Sequence, residues 1–444
     1  MANLKFLRVA VLLLSCALAY EGYAQNNQES ISMSLDECLE YAKKNSITLQ
    51  KAQLQIDDSA AQQLSAKGAF LPTISGSVSQ SFSSAPLSEE SALSGGTYSG
   101  SYGLDLSLTL YSGGSNRAQL KKSGVNQEIA SLEMDELSNS LEVAITETYI
   151  EILYAIEQIE VAQGSLELSE QNEIRGRAFW QVGSINEADL AQIESATASS
   201  KYNIVVAQTK LSNLYVALKQ LLEISQDITF EIKELPISED ILMAQIPTVA
   251  EVYNSALDLR PEIQSSKLYI ESAALDQTIA EAGYLPKLSL TAGTGINHNS
   301  SSSYDFSSQM RNNFSTSAGI NLSIPIFSGY KNKSNVAIAQ NSVKRASLSL
   351  TESEKALYQT IETLRNNAAN AQAMYSVSEY LLQSNLKSME LTTKQYEVGL
   401  KNTIELLTEQ DNYNQTYQEH LTNKYQLILN KALLNYYKTN TIKL

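Results

Sequence analysis

Tyr102-Gly-Leu-Asp-Leu-Ser-Leu-Thr-Leu-Tyr-Ser-Gly-Gly114 is the stretch on which the fold turns. Tyr102, Leu104, Leu106, Leu108 and Leu110 alternate with Gly103, Asp105, Ser107 and Thr109. Period two predicts a strand with one apolar and one small or polar face. Its length, roughly ten residues, is about what a tilted strand needs to cross a bilayer. Ser-Gly-Gly then ends the alternation, and the period changes. Leu141, Ile145, Thr148, Ile152, Ala155, Ile159, Ala162 and Leu166 step by four, three, four, three, which predicts a long helix with a thin heptad seam. Upstream, Ile74, Gly76, Val78, Gln80 and Phe82 alternate with Ser75, Ser77, Ser79 and Ser81, a second strand separated from the first by a Ser/Gly-rich loop near residues 83 to 100.

The same text occurs again in the second half. Leu110-Tyr-Ser-Gly-Gly114 recurs 216 residues later as Ile326-Phe-Ser-Gly-Tyr330, and Ala69-Phe-Leu-Pro-Thr-Ile-Ser75 recurs 214 later as Gly283-Tyr-Leu-Pro-Lys-Leu-Ser289. Phe179-Trp-Gln-Val-Gly183 recurs as Gln395-Tyr-Glu-Val-Gly399, again at 216. Three landmarks in one order at nearly one offset describe a duplication. The seam recurs too, as Leu357, Ile361, Leu364, Ala368, Ala371, Tyr375, Ser378 and Leu382. Strands recur over Leu288 and Leu290, and over Thr316 to Ile324. Residues 34 to 68 read as helix ending before Pro72. One such strand pair alone reads equally well as an amphipathic hairpin on a soluble core, and the seam alone as a weak coiled coil.

Composition agrees with long rods. The 7 prolines leave spans 87 to 235 and 326 to 444 without any, and proline inside a helix costs about 3 kcal/mol. From Ser115 to Gly183 a continuous helix would run about 100 Å at 1.5 Å per residue. The 444 residues carry 32 basic and 48 acidic side chains, net −16, which argues against a nucleic-acid partner. Two cysteines exclude a disulfide scaffold, and His298 and His420 are too far apart in sequence to suggest a metal site. Both histidines sit in polar stretches and are expected to be exposed. No Gly-x-Ser-x-Gly, Walker A, His-Glu-x-x-His or Cys-x-x-Cys occurs, so the chain reads as a non-enzyme without a cofactor.

Residues 1 to 24 read as an export signal: Lys5 and Arg8, an apolar run from Val9 to Ala19, and Gly-Tyr-Ala before Gln25. Leu13-Leu14-Ser15-Cys16 also resembles a lipoprotein cleavage box with Cys16 as the acylated residue. No later stretch offers the ~20 apolar residues of a spanning helix, so a membrane crossing would have to be a β-barrel. Four strands cannot close one, and open edges in lipid leave unsatisfied backbone groups. Two chains would give eight strands and a barrel filled by its own side chains, whereas three would give twelve and leave a channel. Tyr98, Tyr102, Tyr111, Tyr304, Phe306, Phe327 and Tyr330 fall at strand ends, where interfacial aromatics are expected.

Export signal, helix, Leu-Pro, strand pair, Ser-Gly, long helix, Val-Gly turn and returning helix, written twice, resemble the TolC-like outer-membrane efflux proteins. The most specific pieces are Trp180-Gln-Val-Gly-Ser-Ile-Asn-Glu-Ala-Asp189 and Tyr396-Glu-Val-Gly-Leu-Lys-Asn-Thr-Ile-Glu405. The resemblance implies a mainly α, internally duplicated chain with a membrane β-barrel portion. Long antiparallel coiled-coil hairpins would form a trimeric α-helical tunnel below a 12-stranded barrel, four strands per chain. It divides the chain into a signal peptide (1–24), a first repeat (25–224), an equatorial linker (225–260), a second repeat (261–436) and a C-terminal tail (437–444).

The implied partners are a homotrimer, outer-membrane lipid of a Gram-negative cell, a periplasmic adaptor and an inner-membrane pump of RND or ABC type. Val182, Gly183 and Ser184 with Val398, Gly399 and Leu400 become adaptor-docking tips, although Ser184 stands where the common pattern has Leu. Asp189, Tyr396, Lys401 and Glu405 become the periplasmic gate. Lys401 and the Tyr396 hydroxyl would both bond Asp189, and Glu405 would line the constriction. Lys401 replaces the pattern's Arg, losing a bidentate fork. The same four residues also read as solvated tip groups worth under ~1 kcal/mol per pair. The expected function is a passive exit duct for efflux or type I secretion, with drug, metal and protein cargo all open. An exported coiled-coil adaptor or adhesin is the alternative.

Overall fold

A computed structural model describes residues 30–84, 96–225, 227–233 and 242–442. The export segment with Cys16, and Pro86 and Pro236, lie outside the described residues. In chain order the first half gives β1 (Ser30–Met33), α1 (Leu35–Asn45), α2 (Ile47–Gly68), β2 (Thr73–Ser83), β3 (Thr97–Ser112), α3 (Ser115–Gln181) and α4 (Glu187–Leu221). Then follow β4 (Thr229–Ile232), α5 (Val249–Leu259), α6 (Pro261–Glu281), β5 (Lys287–Asn299), α7 (Phe306–Asn312), β6 (Ser315–Ser323), α8 (Lys331–Glu397) and α9 (Thr403–Thr439). No described helix is long and apolar enough to cross a membrane.

The duplication is structural. The rods α3 and α8 are each 67 residues long, about 100 Å at 1.5 Å per residue. Every seam position, from Leu141 to Leu166 and from Leu357 to Leu382, is buried or half-buried. Each rod folds back as a hairpin with its successor, α3 with α4 and α8 with α9. Two left-handed residues in succession turn each strand pair into its rod: Gly113 and Gly114 (φ 66° and 84°), then Gly329 and Tyr330 (φ 60° and 64°). Left-handed backbone disfavours a Cβ, so Tyr330 holds a conformation that its counterpart leaves to glycine. Asn116 Nδ2 donates to Ala69 O at 3.3 Å, and Asn332 Nδ2 donates to Gly283 O at 2.5 Å, which ties each rod to the junction before its strands.

The strands form one antiparallel sheet in the order β2-β3-β5-β6, with β2 and β6 at open edges. Register pairs Ser75 with Asp105, Asp105 with Gly293, and Gly293 with Ser317 across the four strands. Ser, Thr, Gly and Asn therefore share one face, while Leu104, Leu106 and Ile320 share the other with Ile74 and Val78. A bulge between Thr109 and Tyr111 shifts the β3–β5 ladder and bends the strand there. The strands are 9 to 16 residues long.

The main core lies midway down the rods. β1 pairs in parallel with β4, and the fully buried Tyr149 of α3 donates its hydroxyl to Lys233 O at 2.6 Å just beyond β4. Ile145, Ile152, Leu218, Leu222 and Leu427 pack around it. Cys38 is wholly buried in the same core, and burial pushes its thiol pKa up to about 12, far from reactive. A second cluster joins Val252 and Ala256 of α5 to Ile263, Leu357, Ile361 and Leu434. Beside it Arg260, 5 % exposed, lies over the Tyr436 and Tyr437 rings at 4.9 and 4.3 Å and bonds Glu262 at 3.1 Å.

Several expectations need correction. The helix read over 34 to 68 is two helices, because Ser46 (φ −57°, ψ 122°) caps the second by accepting from Leu49 N–H. The first external loop is shorter than read, because β3 already begins at Thr97. The second contains a helical turn, α7, whose Gln309 side chain donates to the Asn299 and Tyr304 carbonyls. The parallel β1–β4 pair has no counterpart in the sequence reading. Neither histidine is exposed. His298 is buried beside Tyr98, Tyr102 and Phe306, and half-buried His420 stacks on Tyr375 at 4.9 Å with Nδ1 3.1 Å from Ser378 Oγ. The last helix runs to Thr439, into the segment read as tail.

Candidate functional site

The candidate site is the pair of hairpin tips at the ends of α3 and α8, about 100 Å from the strands. Each tip is built the same way. Gly183 (φ 75°) and Gly399 (φ 78°) take the left-handed position that ends a helix. The 6→1 bonds run from Ser184 N–H to Phe179 O at 2.8 Å and from Leu400 N–H to Gln395 O at 2.9 Å. Asn186 and Asn402 then cap α4 and α9 by accepting from Asp189 and Glu405 N–H, both at 2.9 Å. Only the second is a full capping box, with Glu405 accepting from Asn402 N–H at 3.1 Å. The two asparagine caps stand 216 residues apart in the sequence, the offset of the duplication, and that spacing is the signal that marks them.

Geometry at the tips leaves apolar groups in water. Val182, Val398 and Leu400 are 74, 70 and 76 % exposed, because a tight turn points successive side chains away from the hairpin that carries them. Gly183, Ser184 and Gly399 are exposed with them. All six docking candidates therefore stand on the solvent side of the turns.

The gate candidates divide differently. Tyr396 is buried in an edge contact with Phe179 of the other hairpin at 5.7 Å, and its hydroxyl has no partner among the described residues. Asp189 is half-buried in the first turn of α4. The Lys401 ammonium bonds Glu405 Oε1 at 2.5 Å within its own hairpin, not Asp189. That bond and the Asn402 N–H hold the Glu405 carboxylate below the usual range. Within one protomer, then, neither tie to Asp189 is formed.

A different pair bridges the hairpins. Arg175 Nη1 on α3 lies 2.5 Å from Glu397 Oε1, the last helical residue of α8, with the side chains 28 and 47 % exposed. Neither residue was singled out in the sequence, where nothing marks two charges 222 positions apart as neighbours. Above it the hairpins are joined by Asn414 Nδ2 donating to Ser165 Oγ at 2.9 Å. Higher still, Glu157 Oε1 accepts from Lys424 and Tyr425, both at 2.7 Å. Inside the hairpins, Ser169 Oγ meets Ser200 Oγ at 3.0 Å and, 216 positions on, Asn385 Nδ2 donates to Thr416 Oγ1 at 2.7 Å. No group of three or more His, Cys, Asp or Glu poised to hold a metal occurs among the described residues.

Known proteins share this layout. The family described as outer membrane efflux protein matches residues 38–223 and 252–435. The outer membrane efflux protein BepC of Brucella suis biovar 1 is 22 % identical over 404 residues, 90 % of this chain and 84 % of that one. The alkaline protease secretion protein AprF of Pseudomonas aeruginosa is 23 % identical over 325 residues, 71 % of this chain and 65 % of that one. Among solved structures, one of CusC, reported with its folding and transmembrane channel formation, superposes with a TM-score of 0.79 at 20 % identity, covering 94 % of this chain and 93 % of the other. With one family model matching both halves, over residues 38–223 and 252–435, the protein belongs to the outer membrane efflux protein family.

Proposed function

We propose that three copies of this chain close into one duct, a 12-stranded barrel in the outer membrane continued by a helical tunnel through the periplasm. Family membership places the chain in the outer membrane as an efflux channel. The observation that carries the trimer is the four-stranded sheet with two open edges, running directly into two 67-residue rods. In lipid each unpaired edge group costs several kcal/mol, and pairing β6 of one copy with β2 of the next removes all of them. The apolar face then meets lipid and the Ser/Thr/Gly/Asn face lines water.

In this reading the duct is passive and catalyses nothing. A periplasmic adaptor docks on the tips through Val182, Gly183, Ser184, Val398, Gly399 and Leu400, and an inner-membrane pump of RND or ABC type supplies the energy. Asp189, Tyr396, Lys401 and Glu405 form the gate. The orphaned Tyr396 hydroxyl and the half-buried Asp189 support an arrangement in which neighbouring protomers complete what one leaves open.

The expected result is a heat-sensitive trimer in outer-membrane fractions that conducts in planar bilayers. A soluble monomer without conductance would refute the duct. Replacing Tyr396 with Phe and Lys401 with Ser should raise single-channel conductance, and an unchanged value would sink the lock.

A further inference from the structure

The polar face of the sheet carries one charge in its middle. Asp105 is the ninth of sixteen residues in β3, and β3 is an interior strand paired on both sides. The other charged residue in the four strands, Lys287, is the first residue of β5, at the rim. Asp105 is exposed and has no ion-pair partner among the described residues. It is therefore not a device against edge pairing, which belongs on edge strands, nor half of a salt bridge.

Its surroundings keep it bare. A Cβ on Gly293, directly opposite, would lie 3.0 Å from Asp105 Oδ1, and one on Gly103 would lie 3.8 Å from Oδ2. Glycine at both places leaves the carboxylate room along the sheet, where the built Cβ atoms would otherwise also meet the Ser77 and Ser317 hydroxyls. Leu104 and Leu106 on either side point to the opposite face, so the charge sits level with the apolar band.

We propose that Asp105 is the ion-selectivity determinant of the membrane section: three copies, one from every fourth strand, form a negative ring around the water column and favour cationic over anionic solutes. The inference rests on the trimeric-duct reading. Four strands at about 4.8 Å spacing separate the copies by roughly 19 Å along the barrel wall. The surrounding lipid is a low-dielectric wall, which focuses the field of a lumenal charge along the pore. That field reaches about 30 Å at 0.01 M salt, spanning the lumen, but about 3 Å at 1 M. The ring's effect must therefore grow as salt is removed.

Reversal potentials across planar bilayers under a KCl gradient provide the test, made in a Lys401→Gln/Glu405→Gln background that removes two of the tip charges and keeps the remaining ones the same in every variant compared. Asp105→Asn should lower the potassium-to-chloride permeability ratio about threefold near 0.01 M salt and leave it nearly unchanged at 1 M. Asp105→Cys provides a variant whose charge is set after folding, since Cys38 is wholly buried. Attack of its thiolate on a methanethiosulfonate forms a mixed disulfide and releases methanesulfinate. An anionic reagent should restore cation preference, and a cationic one should reverse it. Conducting trimers whose selectivity ignores both Asp105→Asn and the sign of the attached group would overturn the inference while leaving the duct intact. A parent protein that conducts nothing would instead overturn the duct, and the inference with it.

Discussion

Replacing Arg175 with Ala should raise the open fraction of the channel about tenfold. The Arg175–Glu397 pair is the ion pair that ties the second hairpin's tip to the first, at 2.5 Å. With its partners 28 and 47 % exposed, it is screened by water and worth about 0.5 kcal/mol rather than the several of a buried pair. Three protomers opening together break three such pairs, or about 1.5 kcal/mol, and 1.4 kcal/mol is a factor of ten in an equilibrium. The Phe179–Tyr396 edge contact at 5.7 Å lies beside it, so the rings remain to limit the effect. The assay is the open-state dwell fraction in planar bilayers, with leakage of a large outer-membrane-excluded antibiotic into cells as a second readout. Glu397→Ala should match Arg175→Ala, and Arg175→Glu combined with Glu397→Arg should return the closed state. In 1 M salt, where screening extends to about 3 Å, wild type and variants should converge. Single variants that gate like wild type, or a charge swap that behaves like the single losses, would refute the latch.

Tyr149→Phe should free the amino-terminal strand: losing the 2.6 Å bond to Lys233 O costs about 1 kcal/mol, read as faster hydrogen exchange in residues 30–33 and 229–232. Burial lowers the His420 pKa below its usual 6.5, the nearby charges being Glu379, Lys424 and Glu157. The unfolded chain then takes up more protons than the fold, so stability is full above pH 6.5 and lost as pH falls below it. The midpoint of trimer heat-dissociation should fall from pH 7.5 to 5.5, and less so in His420→Gln; identical pH profiles would refute the assignment. Leu400→Asp, at an exposed apolar tip, should abolish crosslinking to the adaptor while leaving trimer and conductance unchanged.

Much of this was legible in one dimension. Period two in Tyr102–Leu110 and the heptad seam from Leu141 to Leu166 are local patterns, set by which face each side chain must present. The 216-residue offset copies them, and the missing prolines say where rods run on. The tips were legible for the same reason, since a left-handed Gly after Val reports a backbone requirement that needs no tertiary contact.

What escaped depends on contacts between distant segments. The β1–β4 pair joins residues about 200 apart, and four-residue strands carry too little alternation to stand out. His298 looked exposed because its neighbours in sequence are polar, whereas its neighbours in space are aromatic. Within one chain Lys401 meets Glu405, one helical turn away, at 2.5 Å, and no local pattern says which carboxylate its ammonium meets. Arg175 and Glu397 meet only because both hairpins end at the same height.

By itself the sequence determined the duplicated order of strands and rods, because each element needs only its own residues to choose a period. Only the tertiary structure decided which charges face one another, because pairing between hairpins is set by the packing angle and register of rods about 100 Å long, and a shift of one helical turn exchanges every partner.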